Sequence, residues 1–246
     1  MKFAIIAAGE GSRLANEGVA TPKPLVRLNG EPMIDRLLRI FIANNASSVS
    51  IIVNEEMSEV YEHLSKLKLP VPLHIIHKST PSSMHSFYEL SHTLGNDRFC
   101  LTTVDTIFRE DEFSQYISAF IDSTSDGLFA VTDYIDDEKP LYVETDENMI
   151  IKGFHDDCSP HKTHEAQSSD SKPVKYISGG VYCLGNNCIP ILKTSLDAGI
   201  SRMRNYQRQL VENNLKLQAW PFTKIIDVDH QEDIHKSELF LKSPDY

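Results

Sequence analysis

The sequence predicts an α/β protein, with a mostly parallel central sheet, helices on both faces and a small antiparallel excursion. Three observations carry this. Phe3-Ala4-Ile5-Ile6-Ala7-Ala8 is short, apolar on both faces and cut off by Gly9, as a buried parallel strand is. Strand-like and helix-like stretches then alternate through the first half of the chain, the pattern of a sheet with crossover helices. Residues 9–14 and Asp105 each follow an apolar run directly. Right-handed crossovers bring such strand ends to one edge, where open sheets bind ligands.

Taken in order, Met33, Ile34, Leu37, Leu38, Phe41 and Ile42 recur at three-to-four spacing, which predicts an amphipathic helix with Pro32 in its first turn. Residues 49–53 read as a strand, 57–67 as a helix, 73–77 as a strand, 84–94 as a helix and 98–104 as a strand ending at Asp105. Ser82 and Ser83 precede the 84–94 helix, and a serine there is first of all an N-cap. A fifth strand follows at 127–131, then a hairpin of 141–145 and 149–154 around Asp146-Glu147-Asn148. Residues 157–175 are too polar to bury a core and read as a loop or lid. Residues 176–182 form a strand in which Gly179 and Gly180 signal a bulge or a close backbone approach. One or two helices span 189–211, with Arg202, Arg204 and Arg208 on a solvated face. A strand at 215–220 and the apolar pair Ile225-Ile226 lead to Asp227-Val228-Asp229 and a last helix.

At 246 residues the chain can bury one full core. We read it as a single domain of two halves, 1–135 and 136–246. Its formal net charge of -11 argues against a nucleic-acid partner, which calls for a basic stripe. No apolar run approaches the roughly 18 residues of a membrane span. The first apolar run is already strand one, so no leader is expected. Four cysteines without a CxxC pair suggest reduced thiols and a cytoplasmic protein. Oligomeric state, homo-oligomers included, is left open. His155, Cys158, His161 and His164 recur every third residue and are zinc-ligand types. Their spacing matches no established finger, and clustered loop histidines are usually solvated.

The informative stretch is Gly9-Glu10-Gly11-Ser12-Arg13-Leu14 followed by Pro22-Lys23-Pro24-Leu25. Glycines past a buried strand let backbone N–H groups approach a phosphate with no Cβ in the way. Arg13 and Lys23 add two cations at the same strand end. A P-loop would need Lys-Ser or Lys-Thr after the glycines, and the dinucleotide fingerprint would need glycine where Leu14 stands. The pattern GxGxRL, then Pro22-Lys23-Pro24-Leu25-Val26 and Asn29-Gly30-Glu31-Pro32, instead resembles the nucleotide-sugar pyrophosphorylases, the sugar-1-phosphate nucleotidylyltransferases.

That resemblance implies a nucleotide-diphospho-sugar transferase-like fold and the Mg²⁺-dependent reaction of an NTP with a sugar-1-phosphate, giving an NDP-sugar and pyrophosphate. It implies that Ala8, Gly9 and Gly11 bind the nucleotide, that Arg13 and Lys23 act on its phosphates, and that Ser82 and Ser83 contact base or ribose. Asp105 and Asp227 become the metal ligands, since Mg²⁺ takes one or two carboxylates plus phosphate oxygens. Gly179, Gly180, Asp229 and Lys175 become acceptor contacts; alternation would put Asp227 and Asp229 on one face. The family's Glu-Lys after the hairpin phenylalanine is replaced here by His155-Asp156-Asp157, and Val104 stands where a glycine usually precedes the aspartate. Two rivals therefore stay open: a cytidylyltransferase acting on an alcohol phosphate such as phosphocholine, and a catalytically silent nucleotide-sugar-binding protein. A dinucleotide-binding oxidoreductase is disfavoured by the missing third glycine.

Overall fold

A computed structural model of the chain describes residues 1–136, 138–158 and 175–243. Strand β1 (Lys2–Ala7) runs through the glycine loop into α1 (Ser12–Asn16). A short ribbon, β2 (Arg27–Leu28) and β3 (Glu31–Pro32), precedes α2 (Met33–Ala43). Then β4 (Ser48–Val53), α3 (Ser58–Ser65), β5 (Leu73–His77), α4 (Ser83–Leu94) and β6 (Phe99–Thr103) complete the crossovers. β7 (Thr106–Ile107), α5 (Glu110–Asp122) and β8 (Gly127–Thr132) follow, then the hairpin β9 (Tyr142–Thr145) and β10 (Ile151–His155). The remainder is β11 (Tyr176–Leu184), α6 (Cys188–Asp197), α7 (Met203–Glu212), β12 (Leu217–Pro221), β13 (Ile226–Asp227) and α8 (Gln231–Lys242).

The main sheet runs β5–β4–β1–β6–β11–β8–β12. β5, β4, β1 and β6 pair in parallel, and β12 is parallel to β8. β11 is antiparallel to both β6 and β8, so it alone runs against the others in this row. The hairpin continues the sheet from the first residues of β11. Chain order proceeds from β1 through β4 to β5, then returns to place β6 on the other side of β1. The loops after β1 and β6 therefore diverge from a topological switch point, the crevice where such sheets take ligands.

Both faces are dry. On one, Phe3 stacks on Phe41 with ring centroids 4.4 Å apart, and Phe113 lies 5.8 Å from Phe41. Phe87 meets Phe99 and Tyr206 on the other. A third cluster joins Leu14, Val26 and Leu28 from the beginning of the chain to Val228 and Phe240 from its end. No described helix is long and apolar enough to cross a membrane.

The predicted strands and helices appear within a few residues of their expected bounds, and the 189–211 stretch divides into α6 and α7. Helix α5 was not anticipated, although Phe113, Tyr116, Ile117 and Phe120 bury one stripe of it. The expected solvated basic face is corrected. Arg204 and Arg208 both hold Asp156, at 2.9 and 2.8 Å, and Arg208 also donates to the Phe154 carbonyl, tying α7 to the end of the hairpin. The acidic patch after β8 is paired too, Asp136 with Lys236 at 2.9 Å and Asp133 with Lys175 at 2.8 Å.

Candidate active site

The site begins with a turn that needs glycine. Gly11 has φ 64° at the head of α1, and a Cβ there would stand 3.0 Å from Cβ of Lys23. Gly9 has no heavy atom within 4 Å of where its Cβ would be, so it leaves the loop open. Gly11→Ala is expected to lower stability by about 1–2 kcal/mol for the left-handed backbone, and to weaken nucleotide binding by shifting Lys23. Denaturant midpoints and titration with nucleotide check both; unchanged midpoints would mean the turn relaxes freely.

The chain then brings its two ends together. Lys23, only 9% exposed, pairs with Asp105 and with Asp229, whose Oδ1 lies 2.7 Å from Nζ. Arg13 Nη1 donates to the other oxygen of Asp229 at 2.6 Å, and Glu138 lies 3.8 Å from the same guanidinium. Burial opposes the charge on Lys23, but Asp105 and Asp229 overcome it and hold the ammonium above its ordinary range. Burial likewise opposes ionisation of Asp229, yet Lys23 and Arg13 keep its carboxyl below the usual carboxylate range.

Asp105 occupies the turn between β6 and β7. β13 pairs with β7 so that Asp227 faces Thr106, and the Val228 N–H donates to the Asp105 carbonyl at 3.1 Å. Thr106 Oγ1 reaches Asp227 Oδ1 at 3.3 Å. The expected alternation does not carry past Asp227. The Asp229 N–H turns back to the Asp227 carbonyl at 3.1 Å and also donates to Asp233 Oδ2, so the two side chains part, Asp227 to Thr106 and Asp229 to Lys23.

Two cavities meet here. A smaller one of about 530 Å³ is lined by Ala8, Gly9, Gly11, Ser82, Ser83 and Asp105. A larger one of about 810 Å³ is lined by Tyr134, Ser178, Gly179, Asp227, His230 and Lys236. Arg13 and Asp229 line both. Among the described residues the larger cavity carries seven carboxylates against Arg13, Lys236 and two histidines. The Glu17 carboxylate, accepting a hydrogen bond from the ring, raises the pKa of one of them, His230.

Some candidates fall elsewhere. Ser82 stands at the N-cap of α4, but its hydroxyl meets His85 Nδ1 at 2.9 Å instead of capping the helix. Lys175 pairs with Asp133 and lines neither cavity. Gly180 has φ 73° and would press a Cβ to 2.9 Å from Thr106 Oγ1, so it supports the Asp105 turn from behind. His155 bonds Glu144 at 2.8 Å, and no group of three or more metal-ligand side chains occurs among the described residues; His161 and His164 lie outside them. Asn54 was missed. It follows β4 at the same sheet edge, lines the smaller cavity and accepts from Ser79 Oγ at 2.8 Å. Its place after an apolar strand was the available signal.

Asp105 and Asp227 suit Mg²⁺ by donor type, as two carboxylates brought near one another by the pairing of β13 with β7, Asp105 lining the smaller cavity and Asp227 the larger. Protein ligands alone would not complete a shell, as is normal for an ion that keeps waters and substrate oxygens.

A family model described as a MobA-like NTP transferase domain matches residues 3–210. The bifunctional protein GlmU of Methanococcus maripaludis is 22% identical over 217 residues, 87% of this chain and 47% of the relative. The 2-aminoethylphosphonate cytidylyltransferase of Lancefieldella rimae is 29% identical over 85 residues, 33% of this chain and 35% of the relative. The chain thus spans less than half of these curated relatives. The structure of the inositol-1-phosphate CTP transferase from T. maritima superposes with TM-score 0.77 at 17% identity, covering 99% of this chain and 96% of that one, a likeness of fold.

Proposed function

The chain belongs to the family of MobA-like NTP transferase domains, and from that premise we propose that it transfers a nucleotidyl group from an NTP to the phosphate of a small acceptor, a sugar-1-phosphate, releasing pyrophosphate. The observation that carries this is the convergence of the glycine loop, Arg13, Lys23 and Asp105 on one cavity at the switch point of the sheet. The phosphates lie against the backbone N–H groups of residues 9–11. Arg13 draws off charge from the departing pyrophosphate, and Lys23 steadies the α-phosphate. The acceptor phosphate enters from the larger cavity and attacks the α-phosphorus in line, with no covalent intermediate on the protein. Catalysis is then positioning and charge neutralisation. Asp105 and Asp227 would hold Mg²⁺, which when bound supplies further neutralisation of the phosphate oxygens.

A second reading has an observation of its own. The larger cavity is acid-rich, and the Glu-Lys pair of the sugar-phosphate enzymes is absent, which suits an acceptor whose phosphate is accompanied by an amine, as in an aminoalkyl phosphate or phosphonate. One matched relative is named for 2-aminoethylphosphonate. Pyrophosphate release with Mg²⁺, over a grid of nucleoside triphosphates against hexose-1-phosphates, phosphocholine and 2-aminoethylphosphonate, separates the two. Turnover in the hexose column supports the first, and turnover confined to amine-bearing acceptors replaces it with the second. Silence throughout, with nucleotide still bound, makes the protein a nucleotide-binding regulator.

A further inference from the structure

We propose that Asp229 stands in for a phosphate group in the nucleotide-free protein and is displaced when nucleotide arrives. The proposal rests on the reading of the smaller cavity as the nucleotide site. Asp229 presents its two oxygens to two different cations, Oδ1 to Lys23 at 2.7 Å and Oδ2 to Arg13 at 2.6 Å. Two oxygens bridging a lysine and an arginine is the contact a phosphate makes with the same pair.

Charge requires a displacement. With Asp105, Asp229 and Glu138 around them, Lys23 and Arg13 are already neutralised, and a triphosphate entering that arrangement meets carboxylates beside both cations. Once Asp229 withdraws, the two cations face only Asp105 and the nearby Glu138, and the excess of carboxylates over cations that would repel a polyanion is gone. Mobility assigns the moving partner. Lys23 is 9% exposed and Asp229 is 40% exposed, so the aspartate has room to turn and the lysine does not. The Asp229 backbone is held by its N–H bonds to the Asp227 carbonyl and Asp233 Oδ2, so the movement is a side-chain rotation about a fixed point.

The rotation has a destination. Asp229 also lines the larger cavity, so a carboxylate released from the cations arrives where the acceptor binds. A protein whose competent state is scarce shows a correspondingly reduced affinity.

The experiment is calorimetric titration of inorganic triphosphate and of the nucleoside triphosphates, without divalent cation, into wild type, Asp229→Asn and Asp229→Ala. Each protein is first checked by thermal unfolding, and each titration is run at about 0.1 M and about 0.5 M NaCl. Direct competition predicts about tenfold tighter triphosphate binding in both variants, largely retained at the higher salt. Weaker triphosphate binding in the variants overturns the proposal and makes Asp229 a group that positions the cations. A gain that disappears at the higher salt also overturns it, since it reports only a nearby charge. Failure of wild type to bind triphosphate or any NTP strikes at the nucleotide-site reading itself, and is distinguishable from all of these.

Discussion

Replacing Asp105 with alanine is expected to reduce pyrophosphate release by about a thousandfold, the loss typical when a preorganised group facing developing charge is removed. The variant loses two things at once. It removes one of the two carboxylates that would hold Mg²⁺, and it takes from Lys23 one of its two partners. A nine-tenths buried ammonium left with Asp229 alone turns further toward it, away from the phosphates. Asp105→Asn separates the effects, because it keeps the shape and a hydrogen-bond acceptor for Lys23 while giving up the charge. Both variants should be equally inactive at saturating Mg²⁺, and the alanine variant should unfold at lower denaturant. Retention of more than about a tenth of the wild-type rate by Asp105→Ala would remove this residue from the chemistry.

The largest effect on stability is expected at Phe113. Its ring stacks on Phe108 at 4.7 Å and meets Phe41 at 5.8 Å and Tyr116 at 6.1 Å, and it is fully buried. Phe113→Ala removes that packing from the centre of one face and should cost about 3–5 kcal/mol in urea unfolding with an unchanged slope. It touches neither cavity, so turnover per folded molecule should stay at the wild-type level. A loss below about 1 kcal/mol would mean that α5 can collapse onto the space.

Much of this architecture was legible in the residues because period and punctuation are local. The run before Gly9, the three-to-four spacing from Met33 and the apolar stretch before Asp105 each fix an element without reference to the rest of the chain. Helix α5 shows the limit. Its apolar residues keep helical spacing, but Glu110, Asp111 and Glu112 open it and the strongly marked Asp105 draws attention away. The two-residue strands β7 and β13 carry no periodicity of their own, and they are what sets Asp227 opposite Thr106. In the site, the glycine loop and its cations were visible as residue types. Their partner was not, since no spacing rule connects Lys23 to Asp229 across 206 residues. Gly180 was legible as a special backbone position, but not as a support for the turn behind it.

The meeting of the two ends of the chain also has a consequence for biosynthesis. Arg13 and Asp229 are 216 residues apart, and the last helix docks on the first turn through Glu17 and His230. Contacts so distant in sequence form late, because long loops must close before they are rewarded. A ribosome-bound chain that has not yet released residues from Ile226 onward can assemble much of the sheet while the phosphate cations still lack Asp229. Such a chain holds these two cations against Asp105 and the nearby Glu138 alone. Completion of the C-terminal helix seats Asp229 between them.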